Sequence, residues 1–547
     1  MSVRRVLGME TEFGIAEPGN PRANVLALCA HIVQAYGAAG SASAQGRAIP
    51  WDYKGENPLN DARGFRISRA AAHPSLLTDD PEHPAPSGES SAAAVEAGAE
   101  FDTHRIRRPS AAELALPKSP NAVLTNGARF YVDHAHPEYS APEVSTPGEA
   151  VLWDRAGELI AREAMDIIRA QGMNIVLYKN NVDGKGSAYG THENYLVRRA
   201  VDFADIIRVL TPFFVSRPII CGSGRVGIGK KSEQPGFQIS QRADYVENDV
   251  GIETTFDRPI INTRDEAHAD STAYRRLHVI GGDANQFDVS NLLKVGTTAL
   301  VLDVLERSAE QGISPAVQRQ LDRVQLAEPV SATWNVSHDP HLLATLETAQ
   351  GERLSALDIQ QIYLDVVRAV GAAQGVADSA TSQVLTLWQE VLDGLRHDIW
   401  AVAPRVEWVA KWQMLESLRA RGGLSWDNDK LRAFDVQWHD LRSERSIVNR
   451  LDHAGRIERI VAPEEAAWAV THAPTSTRAY LRGGVIRRFP HAVAAATWEA
   501  LTLDVPGYTD LLRLPLMHPE RGTKELVGEI LEGATSIEDF LEQLAHA

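Results

Sequence analysis

Polar and charged residues recur at every second position inside segments that otherwise read as β-strands, and this pattern constrains the chain more than any other. Side chains alternate across a strand, so residues i and i+2 share a face. Glu10 and Glu12 share a face of LGMETEFG, and Arg129, Tyr131 and Asp133 share a face of RFYVD. Arg276 and His278 share a face of YRRLHVI, and His192 and Asn194 open ENYLVR with the same parity. Glu138 and Glu143 follow closely on Asp133. If these strands are neighbours in one sheet, one face gathers carboxylates, histidines and arginines. A core would not tolerate that mixture, because unpaired charge is costly to bury. A metal-and-phosphate cradle would need it. Carboxylate oxygens with few histidines suit Mg²⁺ bridging a polyphosphate, and arginines neutralise the remaining charge.

The order of signals sets the fold class. Strand patterns occupy 3–16, 122–133, 174–179, 193–198, 237–240 and 274–280, with helical patterns at 22–39 and 149–171. Helical periodicity then dominates, at 293–311, 355–374, 380–397 and about 405–421. Strands first and helices later predict an α+β fold, a curved antiparallel sheet backed by helices. We expect a large catalytic domain over 1–470 and a small C-terminal domain over 471–547, the latter mixing strands at 484–488 and 498–505 with a closing helix. Residues 40–121 read as an insertion loop. Its part 79–100 lacks aromatics and is expected to be disordered. Its part 51–65 carries Trp51, Tyr53 and Phe65 and is expected to pack at the mouth of the site.

Composition removes several classes. No apolar run approaches the roughly 20 residues of a membrane helix, and the N-terminus has no signal-peptide core. Two cysteines, Cys29 and Cys221, fit a reducing cytoplasm rather than a disulfide framework. A formal net charge of −17 argues against general nucleic-acid binding. Gly222-Ser-Gly224-Arg-Val-Gly227 matches a dinucleotide fingerprint, but a loop with Pro235 and Gly236 follows where a helix is required. His134-Ala-His136 suggests zinc. Read as a continuation of the strand, its histidines point away from the face of Asp133, and the helical middle of the chain offers no metal-bearing barrel.

At METEFGI, TNGARFYVDHAHPEYSAPE, YKNNVDGKGSAYGTHENYL, INTRDEAHAD and YRRLHVIGGDAN the chain resembles the depupylase/Pup-ligase family, relatives of the glutamine synthetase-like carboxylate–amine ligases. The resemblance runs from residue 3 to about 535, and WDY…NPLNDARGF resembles the insertion that marks the depupylase branch. It implies a glutamine synthetase-like cradle for ATP and Mg²⁺. Glu10, Tyr131 and Glu138 would bind one Mg²⁺; His192 and His278, with Glu10, would hold the other. Gly8, Met9, Glu10, Thr11 and Glu12, the Ser140–Ala141 backbone, Asn194, Arg276 and Trp498 would contact ATP, and Arg129 would add phosphate-neutralising charge. Asp133 aligns with the essential catalytic aspartate.

The implied activity is cleavage of the γ-amide between the modifier Pup and a substrate lysine, and deamidation of a C-terminal Gln of Pup. ATP would be a cofactor not consumed at each turnover. Pup, disordered when free, would fold as helices into a groove on a monomeric enzyme. Asp133 would attack directly or activate water or a retained phosphate. The competing readings are a Pup ligase using the same site, a non-catalytic Pup-binding adaptor and a small-molecule γ-glutamyl–amine ligase.

Overall fold

The computed structural model describes every residue except 54–55, 74–75, 77–100, 111–112, 114–118, 184–185, 373–376 and 547. The disorder expected for 79–100 therefore lies outside the described residues. Six strands form the principal sheet: β1 (Leu7–Glu12), β2 (Asn121–Val123), β3 (Arg129–Asp133), β4 (His136–Ser140), β5 (Thr191–Arg198) and β6 (Tyr274–Val279). Their order is β6-β5-β1-β4-β3-β2, and every pairing is antiparallel.

The register turns the spacing-two pattern into a surface. Glu10 lies opposite His192 on one side and Ser140 on the other. Glu138 lies between Glu12 and Tyr131, and Asn194 between Gly8 and His278. Residues directly opposite share a face, so the polar set of five strands is contiguous. The alternate residues, among them Leu7, Met9, Phe130, Tyr139, Tyr195 and Leu277, are buried in the main core.

Three helices cover that apolar face: α1 (Val25–Ala39), α2 (Pro147–Ala170) and α3 (Asp288–Gln311). The start of α2 is fixed by Pro147 in its first turn and by a capping box between Thr146 and Glu149, which satisfies backbone N–H groups the helix leaves open. Every residue of α3 from Asp288 to Leu302 is buried, as expected of a helix running through the interior. Thus the fold is mixed α+β, with a large antiparallel sheet and packed helices.

Two sequence expectations are corrected. Residues 122–133 form not one strand but the hairpin of β2 and β3, turning at Gly127, whose φ of +82° suits a residue without a Cβ. The strand expected at 484–488 is the end of a helix, Ala479–Arg488. Leu481, Val485 and Ile486 recur at helical spacing and enter a second hydrophobic core. That core also takes Ala44, Ile49, Trp51 and Val123. Beside it lies a four-stranded sheet in which His104–Ile106 pairs with Leu511–Pro515, next to Ala500–Leu503 and Val493–Ala496. The insertion thus contributes both core residues and a strand to the C-terminal unit. Among the described residues, no helix is long and apolar enough to cross a membrane.

Candidate active site

The polar face divides into a pocket and an acidic bowl, which meet at Glu10. The pocket holds about 560 Å³ of unfilled space, part of it open to solvent, within the range of small-ligand sites. Gly8, Met9, Glu10, Ser140, Ala141 and Asn194 line its floor, and Arg276 and Trp498 also face it. Sequence reasoning did not assign His268, Arg478 and Pro519, which line it as well. The last two come from the C-terminal unit, where no strand-like signal announced them. The Thr11 side chain lies on the helix-covered face and contacts Asp154 at 3.4 Å.

The Glu10 carboxylate accepts hydrogen bonds from Asn194 Nδ2 at 2.9 Å and pairs with His192 Nδ1 at 3.3 Å. Burial would raise its pKa; the hydrogen bond and charge of His192, with Arg276 and Asn194, outweigh that and hold the carboxyl low. Arg276 Nη1 donates to Asn194 Oδ1 at 2.5 Å, and its Nε donates to the Glu266 carbonyl at 2.9 Å. The guanidinium is thereby held flat beside the pocket. Burial, with the charges of Arg276 and His192 nearby, keeps the His278 imidazole neutral. Glu10, His192 and His278 bring one ligand-type atom each to within 4.8 Å of one another.

In the bowl, Glu12, Asp133 and Glu138 each bring one carboxylate oxygen within 4.8 Å of the others. The Glu138 carboxylate accepts from Tyr131 Oη at 2.7 Å and Ser140 Oγ at 3.1 Å. Burial, then the negative charges of Asp133, Glu10 and Glu12, push Glu138 well above the usual carboxylate range. A crowded carboxylate set of this kind cannot all ionise without a cation. Glu12 is fixed by the Gly190 N–H at 2.8 Å. Asp133 sits at the open end of β3, 37% exposed and paired with His134 Nδ1 at 2.9 Å. Burial works against its charge, and His134 then His192 hold it ionised.

Arginines surround the bowl. Arg242 and Arg258 lie near the charge of Glu12, and Arg264 near Glu266 and Asp133. Among the described residues, each leaves a buried guanidinium nitrogen without a hydrogen-bond partner. Carboxylates short of a cation beside guanidiniums short of an anion fit a metal–polyphosphate pair. None of the three arginines was singled out from sequence. They lie in loops or at strand starts, where alternation says nothing.

Arg129 is placed differently from Arg276. Its guanidinium lies 3.7 Å from the Tyr131 ring centroid and 4.3 Å from that of Trp51, and it hydrogen-bonds Asn121 and Tyr53. Trp51 in turn meets the Trp498 ring edge-on at 5.0 Å. Trp51 and Tyr53 of the insertion therefore pack beside the pocket wall. His136 needs a correction: the chain reverses at His134 and Ala135, so His136 pairs across the hairpin with Asp133 and shares its face. Its ring stacks on Tyr189 at 4.0 Å.

An antiparallel sheet whose polar face joins a pocket to two clusters of candidate metal-ligating side chains is the geometry of a metal- and ligand-binding cradle. The sequence profile described as Pup-ligase protein matches residues 5–502, and the chain belongs to this Pup-ligase family. It is 43% identical to the Pup deamidase/depupylase of Mycolicibacterium smegmatis over 546 residues, all of both chains. It is 44% identical to the depupylase of Acidothermus cellulolyticus, over 99% of each. The Pup–protein ligase of Micrococcus luteus is 39% identical over 76% of this chain and 90% of its own. Among solved structures, the ligase PafA in complex with Pup superposes with a TM-score of 0.72 at 26% identity, covering 99% of this chain and 95% of that one. PafA in complex with ADP gives 0.67 at 32%, covering 76% and 90%.

Proposed function

We propose that this chain is an ATP- and Mg²⁺-dependent depupylase and Pup deamidase, cleaving the isopeptide between Pup and a substrate lysine and converting a C-terminal Gln of Pup to Glu. One observation carries the reading: the depupylases match over 99–100% of both chains, whereas the M. luteus ligase matches 76% of this one. The solved relatives bind Pup and ADP, and the pocket and bowl have the chemistry for both the nucleotide and a carboxyl-derived substrate.

Glu10, Tyr131 and Glu138, and Glu10 with His192 and His278, would hold Mg²⁺, which supplies charge for the phosphates and polarises a carbonyl. Gly8, Met9 and Glu10, with Ser140, Ala141, Asn194 and Arg276, bind the nucleotide, Thr11 and Glu12 complete the strand that carries them, Trp498 flanks the base, and Arg129 backs the same wall through Trp51. Asp133, at the end of its strand beside the bowl, is the reacting carboxylate, either attacking the γ-carbonyl or taking a proton from the oxygen that does. We assign 1–470 to the catalytic unit and 471–547 to the C-terminal unit, which also takes Ala44, Ile49, Trp51 and Val123 into its core and His104–Ile106 into its sheet.

The test is incubation with Pup ending in Gln, ATP and Mg²⁺, followed by mass measurement. Loss of ammonia and gain of water, without matching release of ADP, supports the reading. ADP released in step with new isopeptide on an added protein would mean ligase instead.

A further inference from the structure

The amide-cleaving reading leaves one requirement unmet. An amine leaves a tetrahedral adduct poorly unless its nitrogen takes a proton as the C–N bond breaks. The groups placed around the bowl do not supply one. Glu10, Tyr131, Glu138, His192 and His278 are assigned to the cation. Asp133 is assigned to the nucleophilic step, and Glu12 is tied to the Gly190 N–H. Arginine does not give up its proton.

His134 has the position and the chemistry. It occupies the two-residue turn between β3 and β4, immediately after Asp133, and its Nδ1 lies 2.9 Å from Asp133 Oδ2. The side chain is 47% exposed, at the open edge of the bowl. Its backbone is strained, with φ at +49°. Glycine is the usual residue where the first position of such a turn has positive φ, and a bulkier residue there costs about 1–3 kcal/mol. Strain of this kind collects at functional sites. His136, the other half of the motif, is stacked on Tyr189 and tied through Nδ1 to the Phe13 carbonyl at 3.1 Å.

Resting on the proposed depupylase activity, we infer that His134 is a catalytic residue: as imidazolium it protonates the leaving nitrogen. An oxygen nucleophile adds to the γ-carbonyl carbon. When the adduct collapses, the C–N electron pair passes to nitrogen, which takes the proton from His134, and the lysine amine or ammonia departs neutral. In the second half, water adds to the acyl carbon and returns one proton to the His134 imidazole. The bond from that carbon to the first oxygen then breaks, leaving the Glu carboxyl group and the original nucleophile. Net, one amide and one water become one acid and one amine.

The experiment uses the full chain with ATP and Mg²⁺ and two Pup substrates. One carries a γ-linked lysine; the other carries a γ-linked aminocoumarin, a weakly basic amine that leaves without full protonation. His134→Gly is the informative variant, because glycine relieves the turn and admits a small molecule where the ring was. We expect lysine cleavage to fall by about 10²–10⁴-fold, the usual worth of one positioned acid. The aminocoumarin should fall far less, and added imidazole should restore lysine cleavage. Equal loss on both substrates, no loss on either, or no rescue by imidazole overturns the assignment. A parent enzyme that cleaves neither substrate would overturn the depupylase reading instead. His134→Gln, which keeps the ring's bulk but carries no exchangeable acid, should behave like the glycine variant without rescue.

Discussion

Two residues of the bowl can be separated by what each would lose. Asp133 is 37% exposed and its ion pair is with His134 of the same hairpin, so Asp133→Asn should keep the fold while removing the reacting carboxylate. Amide cleavage should fall by about 10²–10⁴-fold, with ATP binding nearly unchanged; near-normal turnover would take Asp133 out of the mechanism. Glu10 and Glu12 share a strand face, yet Glu10 joins His192, Asn194 and the pocket floor, whereas Glu12 braces Gly190. Glu10→Ala should weaken nucleotide binding at least about 10-fold, as loss of metal-site support commonly does, and Glu12→Ala much less. Titrating ATP against both variants decides it, and equal affinities would mean the ligands are wrongly assigned.

Among the elements, Trp51 and Tyr53 show the insertion at work. Trp51 touches Trp498 and Arg129 together, an aromatic pair and a cation–π contact of about 1 kcal/mol each. Trp51→Ala should therefore shift nucleotide affinity or turnover by roughly 30-fold at most, at about 1.4 kcal/mol per tenfold, without unfolding the chain. Removing 79–100 should leave deamidation nearly at the parent rate. If both behave as parent, the insertion has no part in the chemistry. This packing was partly legible beforehand, because aromatics among charges are unusual in a passive linker. The polar face was more so: period-two spacing fixes which side chains share a face, and Glu10, Asp133, Glu138, His192 and His278 fell together once the register was known. Alternation could not reveal where a strand reverses. Residues 122–133 read as one strand whose alternation runs on through His136, which puts His136 on the wrong side. Nor could it find Arg242, Arg258, Arg264 or Arg478, whose partners are hundreds of positions away or in loops. Residues 484–488 hold two adjacent β-branched residues, Val485 and Ile486, but with Leu481 these lie at helical spacing and face the second core.

Across the whole molecule, the pocket straddles two hydrophobic cores: Gly8, Glu10 and Asn194 come from the main sheet, Arg478, Trp498 and Pro519 from the C-terminal unit. The joint is close. A Cβ on Gly483 would lie 2.5 Å from the Thr125 carbonyl oxygen, so helix Ala479–Arg488 rests directly on the β2–β3 turn. Glu143 is the ionic pin, accepting from Arg478 Nε at 2.6 Å and from both terminal nitrogens of Arg482. Burial would raise its pKa, but the two arginines hold it at about 2 against an ordinary 4.5. A carboxyl depressed in this way contributes its full stability above about pH 4.5 and loses it as the pH falls toward 2. We therefore expect the parent to unfold in one transition near neutral pH, and the joint to weaken in acid over that interval. Glu143→Gln leaves two buried guanidiniums uncompensated, a loss of about 3–5 kcal/mol. It should split the melt, the C-terminal unit unfolding first, lower nucleotide affinity, and flatten the acid dependence. Calorimetry from pH 7 downward with and without ATP measures all three. A single transition at the parental midpoint would show that the two cores are held together by packing alone.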